Sequence, residues 1–171
     1  FAFENPGFPF PTLREGDLVF QARQVGHPLL DAPVRNDVAL EGPGRLLIVT
    51  GSNMSGKTTL LRAMGLNTVL AMAGGPVCAD ALFVSRVQVA TGMRVKDSLE
   101  RGVSYFYAEA QRMKALYDAA LAQPRRCLFL LDEVLMGTNA RERQIASKRL
   151  LELLIGAGAS GAIATHDLAI T

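Results

Sequence analysis

The eight residues Gly51-Ser52-Asn53-Met54-Ser55-Gly56-Lys57-Thr58 satisfy the spacing G-x-x-x-x-G-K-[ST], and each fixed position has a reason in phosphate chemistry. Glycines let the backbone curl until successive N–H groups point inward, and a helix starting at the end of the loop adds the positive end of its dipole. Lys57 offers a mobile positive charge for β- and γ-phosphates. Thr58 offers a hydroxyl to magnesium, a hard cation that takes oxygen ligands and often holds phosphates as well. The plain alternative is a Gly-rich strand-to-helix turn with an exposed lysine; the strand before it and the helix after it weigh against that.

Two further positions carry complementary chemistry. Asp132-Glu133 closes an apolar run, where one carboxylate can serve a magnesium shell while its neighbour orients and deprotonates an attacking water. Alone, such a pair is more often a strand entering a solvated turn; downstream of a phosphate loop the balance reverses. His166 follows Ala162-Ile163-Ala164-Thr165 and can donate a hydrogen bond to a γ-phosphate or to the water. His27, in Gly26-His27-Pro28, lacks such a setting and reads as a loop residue.

The elements that must position these groups are visible as apolar runs. Leu46–Thr50 reads as a strand before the Gly-rich turn, and Leu60, Leu61, Met64, Val69 and Met72 trace a helix after it. Cys127–Leu131 is a second strand, followed by a helix from about Arg141 to Ile155 that Gly156 and Gly158 stop. Gly161–Thr165 is a third. Strands alternating with helices predict an α/β fold with a largely parallel sheet covered on both faces, which binds ligands at the carboxyl ends of its strands. Between the first and second strands, Phe106, Ala110, Met113, Tyr117 and Ala120 share one helical face. Ser104 would then stand at a helix N-terminus, as an ordinary cap or as a contact to an anion.

Bulk properties bound the rest. With 171 residues and 49% of them apolar, the chain has room for one domain with a sizeable core. Its apolar runs fall far short of the ~20 residues that cross a bilayer, so no membrane partner is expected. The N-terminus lacks signal-peptide character, and Cys78 and Cys127 form no metal-type spacing, which points to a reducing cytoplasm. The net charge of +2 is spread along the chain and does not form the basic stripe of a DNA-binding face. Residues 1–13, rich in Phe and Pro, read as an irregular arm, either packed on the domain or docking a neighbour.

The order GSNMSGKTT, DSLERGVSYFYAE, LFLLDE, GTN-x-RER and ATHD resembles the ATPase domain of the MutS family, within the ABC-type P-loop ATPases. No L-S-G-G-Q-like signature of ABC transporters is present. The resemblance runs from about Gly26 to the end, which leaves residues 1–25 as an arm or linker and 26–171 as the domain. It implies a P-loop NTPase of the ABC type whose largely parallel sheet is accompanied by an antiparallel β portion. It also implies a head-to-tail homodimer whose two ATP sites lie at the interface. Carried over residue by residue, Gly51, Ser52, Asn53, Met54, Ser55, Gly56, Lys57, Thr58 and Thr59 hold the nucleotide, and Thr58 and Asp132 serve the magnesium ion. Glu133, His166 and Lys57 act in catalysis, and Ser104 reaches the nucleotide of the other subunit. Departures point to a MutS-related branch other than the housekeeping mismatch-repair enzyme. Ser52 and Ser55 replace the usual Pro and Gly, Leu135-Met136 replaces Gly-Arg, and Val34 stands where many members place an aromatic against adenine.

Such domains continue past His166 with further strands and a helical tail, so the chain is expected to be a truncated piece, with DNA contacts carried by absent domains. The expected function is ATP hydrolysis by a switch domain of a DNA-handling protein. A nucleotide-dependent dimerisation module with negligible turnover is the alternative. A small-molecule kinase is disfavoured, because Arg125-Arg126 and Arg141-Glu142-Arg143 flank regular elements and form no lid.

Overall fold

The computed structural model describes residues 1–93, 105–136 and 138–166. In chain order its elements are β1 (Thr12–Arg14), β2 (Val19–Val25), β3 (Asn36–Glu41), β4 (Leu46–Thr50), α1 (Lys57–Met72), β5 (Ala81–Ser85), β6 (Gln88–Gly92), α2 (Tyr105–Ala122), β7 (Cys127–Asp132), α3 (Ala140–Gly156) and β8 (Ser160–Thr165). They form two four-stranded sheets. One has the order β4-β8-β7-β6 with every pair parallel, and the other has the order β1-β5-β2-β3. In the second, β2 runs antiparallel to β3 and β5, while β1 is parallel to β5. The mixed α/β architecture expected from the sequence, with parallel and antiparallel parts, is what the chain adopts.

Every residue of β7 and of β8 is buried. A strand covered on both faces needs few polar residues and no alternation, which is why Cys127–Leu131 and Gly161–Thr165 are legible as strands in the sequence, each one residue short of the element observed. Their alternate side chains divide between two cores. Leu128, Leu130, Ala162 and Ala164 join Leu61 and Met64 of α1 and Phe20 and Val25 of the antiparallel sheet. Phe129, Leu131 and Ile163 join Leu116 and Ala120 of α2 and Leu150 and Leu154 of α3. The parallel sheet therefore has α1 on one face and α2 with α3 on the other. Each large side chain buried in this way contributes about 1.5–3 kcal/mol of transfer free energy.

Residues 12–14 and 19–25, assigned to the N-terminal arm by sequence, are strands of the antiparallel sheet, and Phe20 is fully buried. The segment VFQARQV alternates buried and exposed positions from Phe20 to Arg23, the mark of a strand with one wet face.

The helix ends follow local chemistry. Asn139 caps α3 by accepting the Glu142 N–H at 2.9 Å, and Thr138 donates its hydroxyl to the Glu142 carboxylate, a variant of the capping box. At the other end, Gly158 adopts φ +81°, its N–H bonds the carbonyl of Ile155, and the Ala159 N–H bonds that of Leu154. This pair of bonds satisfies the last carbonyls of α3 and reverses the chain into β8.

Candidate functional site

Thr50 ends β4, six residues curl, and α1 begins at Lys57. The turn into the helix is made by Gly56 at φ +91°, which an L side chain rarely adopts, and no side chain caps the first turn. Met54 also takes a positive φ, of 66°, and its side chain is fully exposed. Lys57 is only 7% exposed, and its ammonium donates to the carbonyls of Gly51 at 2.8 Å and Ser52 at 2.7 Å. Those bonds hold the charge inside the curl of the loop, where an unbonded ammonium would be costly.

Asp132 is the last residue of β7 and is buried. Its Oδ2 accepts the hydroxyl of Thr58, one residue into α1, at 2.8 Å. The next residue, Glu133, leaves the strand with φ +47° and donates its backbone N–H to the carbonyl of Ala164 at 3.1 Å. Parallel pairing sets Asp132 opposite Ala164, so the residues that follow each strand are neighbours. The Glu133 carboxylate accordingly meets His166 Nδ1 at 2.9 Å. The carboxyl ends of β4, β7 and β8 thus assemble a lysine, a hydroxyl, two carboxylates and an imidazole at one edge, the usual ligand side of an open α/β sheet.

Beside the loop lies a cavity of about 370 Å³, lined by Ser55, Gly56, Lys57 and Thr59 on one side and by His27, Leu30 and Val34 on the other. His27 is in a loop, as expected, yet it borders this cavity, and its Nδ1 accepts the Leu29 N–H at 3.3 Å. In the neutral ring that acceptance leaves Nε2 as the donor. Sequence gave no reason to select His27 or Leu30, because their approach to the loop depends on where the antiparallel sheet sits. Glu109, which lies within the family-like segment DSLERGVSYFYAE and was given no role from sequence, is a buried carboxylate whose Oε1 accepts the Met136 N–H at 3.2 Å.

Loop residues Gly51 to Thr59, together with Asp132, Glu133 and His166, are therefore gathered in one region. Ser104 and Gly137 lie outside the described residues. Arg125 is at the opposite end of β7, paired with Asp17 at 2.6 Å, which removes it from the site. Among the described residues no group of three or more His, Cys, Asp or Glu is placed to hold a metal by itself. No described helix is long and apolar enough to cross a membrane.

Known proteins resemble this chain in sequence. The family model for MutS domain V matches residues 47–171. The Endonuclease MutS2 of Thermus thermophilus is 34% identical over 148 residues, covering 86% of this chain and 20% of that protein. The DNA mismatch repair protein MutS of Thermotoga petrophila is 31% identical over 166 residues, covering 94% of this chain and again 20% of the relative. The chain belongs to the MutS family, and it spans about a fifth of the length of these curated relatives.

Proposed function

We propose that this chain binds ATP with magnesium in the loop Gly51–Thr59 and hydrolyses it, as the ABC-type ATPase domain of a longer MutS-family protein. The observation that carries the proposal is the convergence of Thr58, Asp132, Glu133 and His166 beside a phosphate-type loop, joined by the Thr58–Asp132 and Glu133–His166 contacts.

The donor set fits magnesium, because a hydroxyl and a carboxylate in mutual contact are hard oxygen donors, and phosphate oxygens and water can complete the shell. Bound there, the ion would neutralise charge on the phosphates during transfer. Lys57 binds the β- and γ-phosphates, exchanging its present carbonyl partners for phosphate oxygens. Glu133 accepts the proton of the attacking water, and His166 orients the Glu133 carboxylate and contacts the γ-phosphate. The cavity lined by His27, Leu30 and Val34 accommodates the base. Ser104 of a second copy, in a head-to-tail homodimer, completes the site. DNA is contacted by other parts of the longer protein, in the cytoplasm. Ser52, Ser55 and Leu135-Met136 favour a MutS-related branch other than the housekeeping enzyme.

The test follows binding of a fluorescent ATP analogue and release of phosphate together, with magnesium, for the parent chain and Lys57→Ala. Binding and release that both vanish with Lys57 are expected. Binding without release in the parent would support a dimerisation module instead, and no binding would overturn the proposal.

A further inference from the structure

The face of α2 turned toward the parallel sheet carries Met113, Leu116 and Ala120, and at the same helical spacing one turn earlier it carries Glu109, 7% exposed. A carboxylate at such a position is costly unless its oxygens are bonded. Glu109 Oε1 accepts the backbone N–H of Met136 at 3.2 Å, in the loop that joins β7 to α3. That loop passes through φ +47° at Glu133 and φ +60° at Leu135. L residues disfavour this region, and the conformation persists only where the surroundings hold it.

The anchors can be named. Glu133 N–H bonds Ala164 at the start of the loop, and Asn139 caps α3 at its end. Between them Glu109 supplies an anchor from a different helix. It can reach because Gly92 has no side chain: a Cβ there would lie 2.7 Å from Leu131 Cδ2 and 3.1 Å from both Leu116 Cδ1 and Met113 Cε. α2 therefore sits close over β6 and β7, and Glu109, Asp132 and Glu133 border one void of about 10 Å³.

We infer that Glu109 is a positioning residue: by accepting the Met136 N–H it sets the turn that aims Glu133 at His166, so that the placement of α2 governs the placement of Glu133. The consequence for turnover rests on Glu133 being the base proposed above; the consequence for loop geometry does not. Two variants separate reach from charge. Glu109→Gln keeps an acceptor oxygen at the same reach without the charge, and Glu109→Asp keeps the charge one methylene short.

The experiment compares the full chain with Glu109→Gln, Glu109→Asp and Glu109→Ala. It measures backbone hydrogen exchange at residues 133–136, the ring resonances of His166, magnesium-ATP affinity and phosphate release. Glu109→Asp and Glu109→Ala should speed exchange at Met136 about ten-fold or more and shift the His166 resonances, while Glu109→Gln stays near the parent. Phosphate release should fall about ten-fold in the same two variants, with nucleotide affinity within about two-fold of the parent. Should Glu109→Ala fail to fold, the Gln and Asp variants decide alone. Unchanged exchange and His166 resonances in Glu109→Asp would overturn the inference. So would a Glu109→Gln as impaired as Glu109→Asp, which would show that charge matters, or a large loss of affinity, which would place Glu109 in binding. A parent chain that releases no phosphate would sink the ATPase proposal while exchange and resonances still report on Glu109.

Discussion

The hydroxyl of Thr58 donates to Asp132 Oδ2 across 2.8 Å, although 74 positions of sequence separate the two residues. The contact exists because α1, which follows β4, packs over β8 and β7. This brings its first turn to the end of the strand that terminates in Asp132. Neither β4 nor β7 could arrange this alone, since β8 lies between them.

Replacing Thr58 with valine preserves the branched shape and removes the hydroxyl. Magnesium-dependent nucleotide affinity should fall roughly 10- to 100-fold, the usual range when a group orienting a metal site is lost. Binding measured calorimetrically in excess chelator should change little. An equal loss with and without magnesium would mean that the hydroxyl does not act through the metal.

Glu133 and His166, in contact at 2.9 Å, should behave as a unit. Glu133→Gln is expected to lower phosphate release about 10²- to 10⁴-fold with nucleotide binding retained, and His166→Ala about 10²-fold. Because residues that act together are non-additive, the double variant should be no slower than Glu133→Gln alone. Multiplicative losses in a single-turnover double-mutant cycle would show that the two act independently.

Gly161 of β8 tests how tightly the parallel sheet is packed. A Cβ at this position would lie 2.0 Å from the Phe129 carbonyl oxygen and 2.5 Å from two atoms of its ring. Backbone cannot yield as a flexible side-chain end does, so Gly161→Ala should destabilise the fold by about 3 kcal/mol or more. Urea unfolding followed by circular dichroism would measure it, and a midpoint equal to the parent's would show that the strands can move apart freely.

Cys127, at the start of β7, is fully buried, and burial pushes its thiol from the ordinary 9.0 up to about 11. The unfolded chain gives up this proton first, so between those values the native state binds more protons. Stability that is present below pH 9.0 is then lost as pH rises toward about 11. Chemical denaturation across this window should show the parent losing stability faster than Cys127→Ala. Parallel curves for the two proteins would exclude the thiol as the cause.

Much of the site was readable because its parts are local. The phosphate-type loop is contiguous, and β4, β7 and β8 announce themselves as apolar runs whose polar successors, Ser52, Glu133 and His166, follow from strand direction. The face of α2 was harder. Tyr117 and Ala110 belong to the apolar stripe that the spacing predicts, whereas Leu116 and Glu109, outside that stripe, are buried more deeply than either. A carboxylate in a helix is ordinarily assigned to solvent, and the backbone N–H of Met136, far along the chain, is a partner that helps to make its burial tolerable.

By itself, then, the sequence determined the alternating elements, the loop and the identity of the groups delivered to the sheet edge, since these depend on periodicity and spacing over a few residues. The tertiary structure decided the strand order β4-β8-β7-β6, the antiparallel sheet that brings His27 and Val34 beside the loop, the inclusion of residues 12–14 and 19–25 in that sheet, and the Thr58–Asp132, Glu133–His166 and Glu109–Met136 contacts. Each of these joins segments distant in sequence, and such pairings are set by which apolar faces bury against one another, a property of the whole core that no single segment carries.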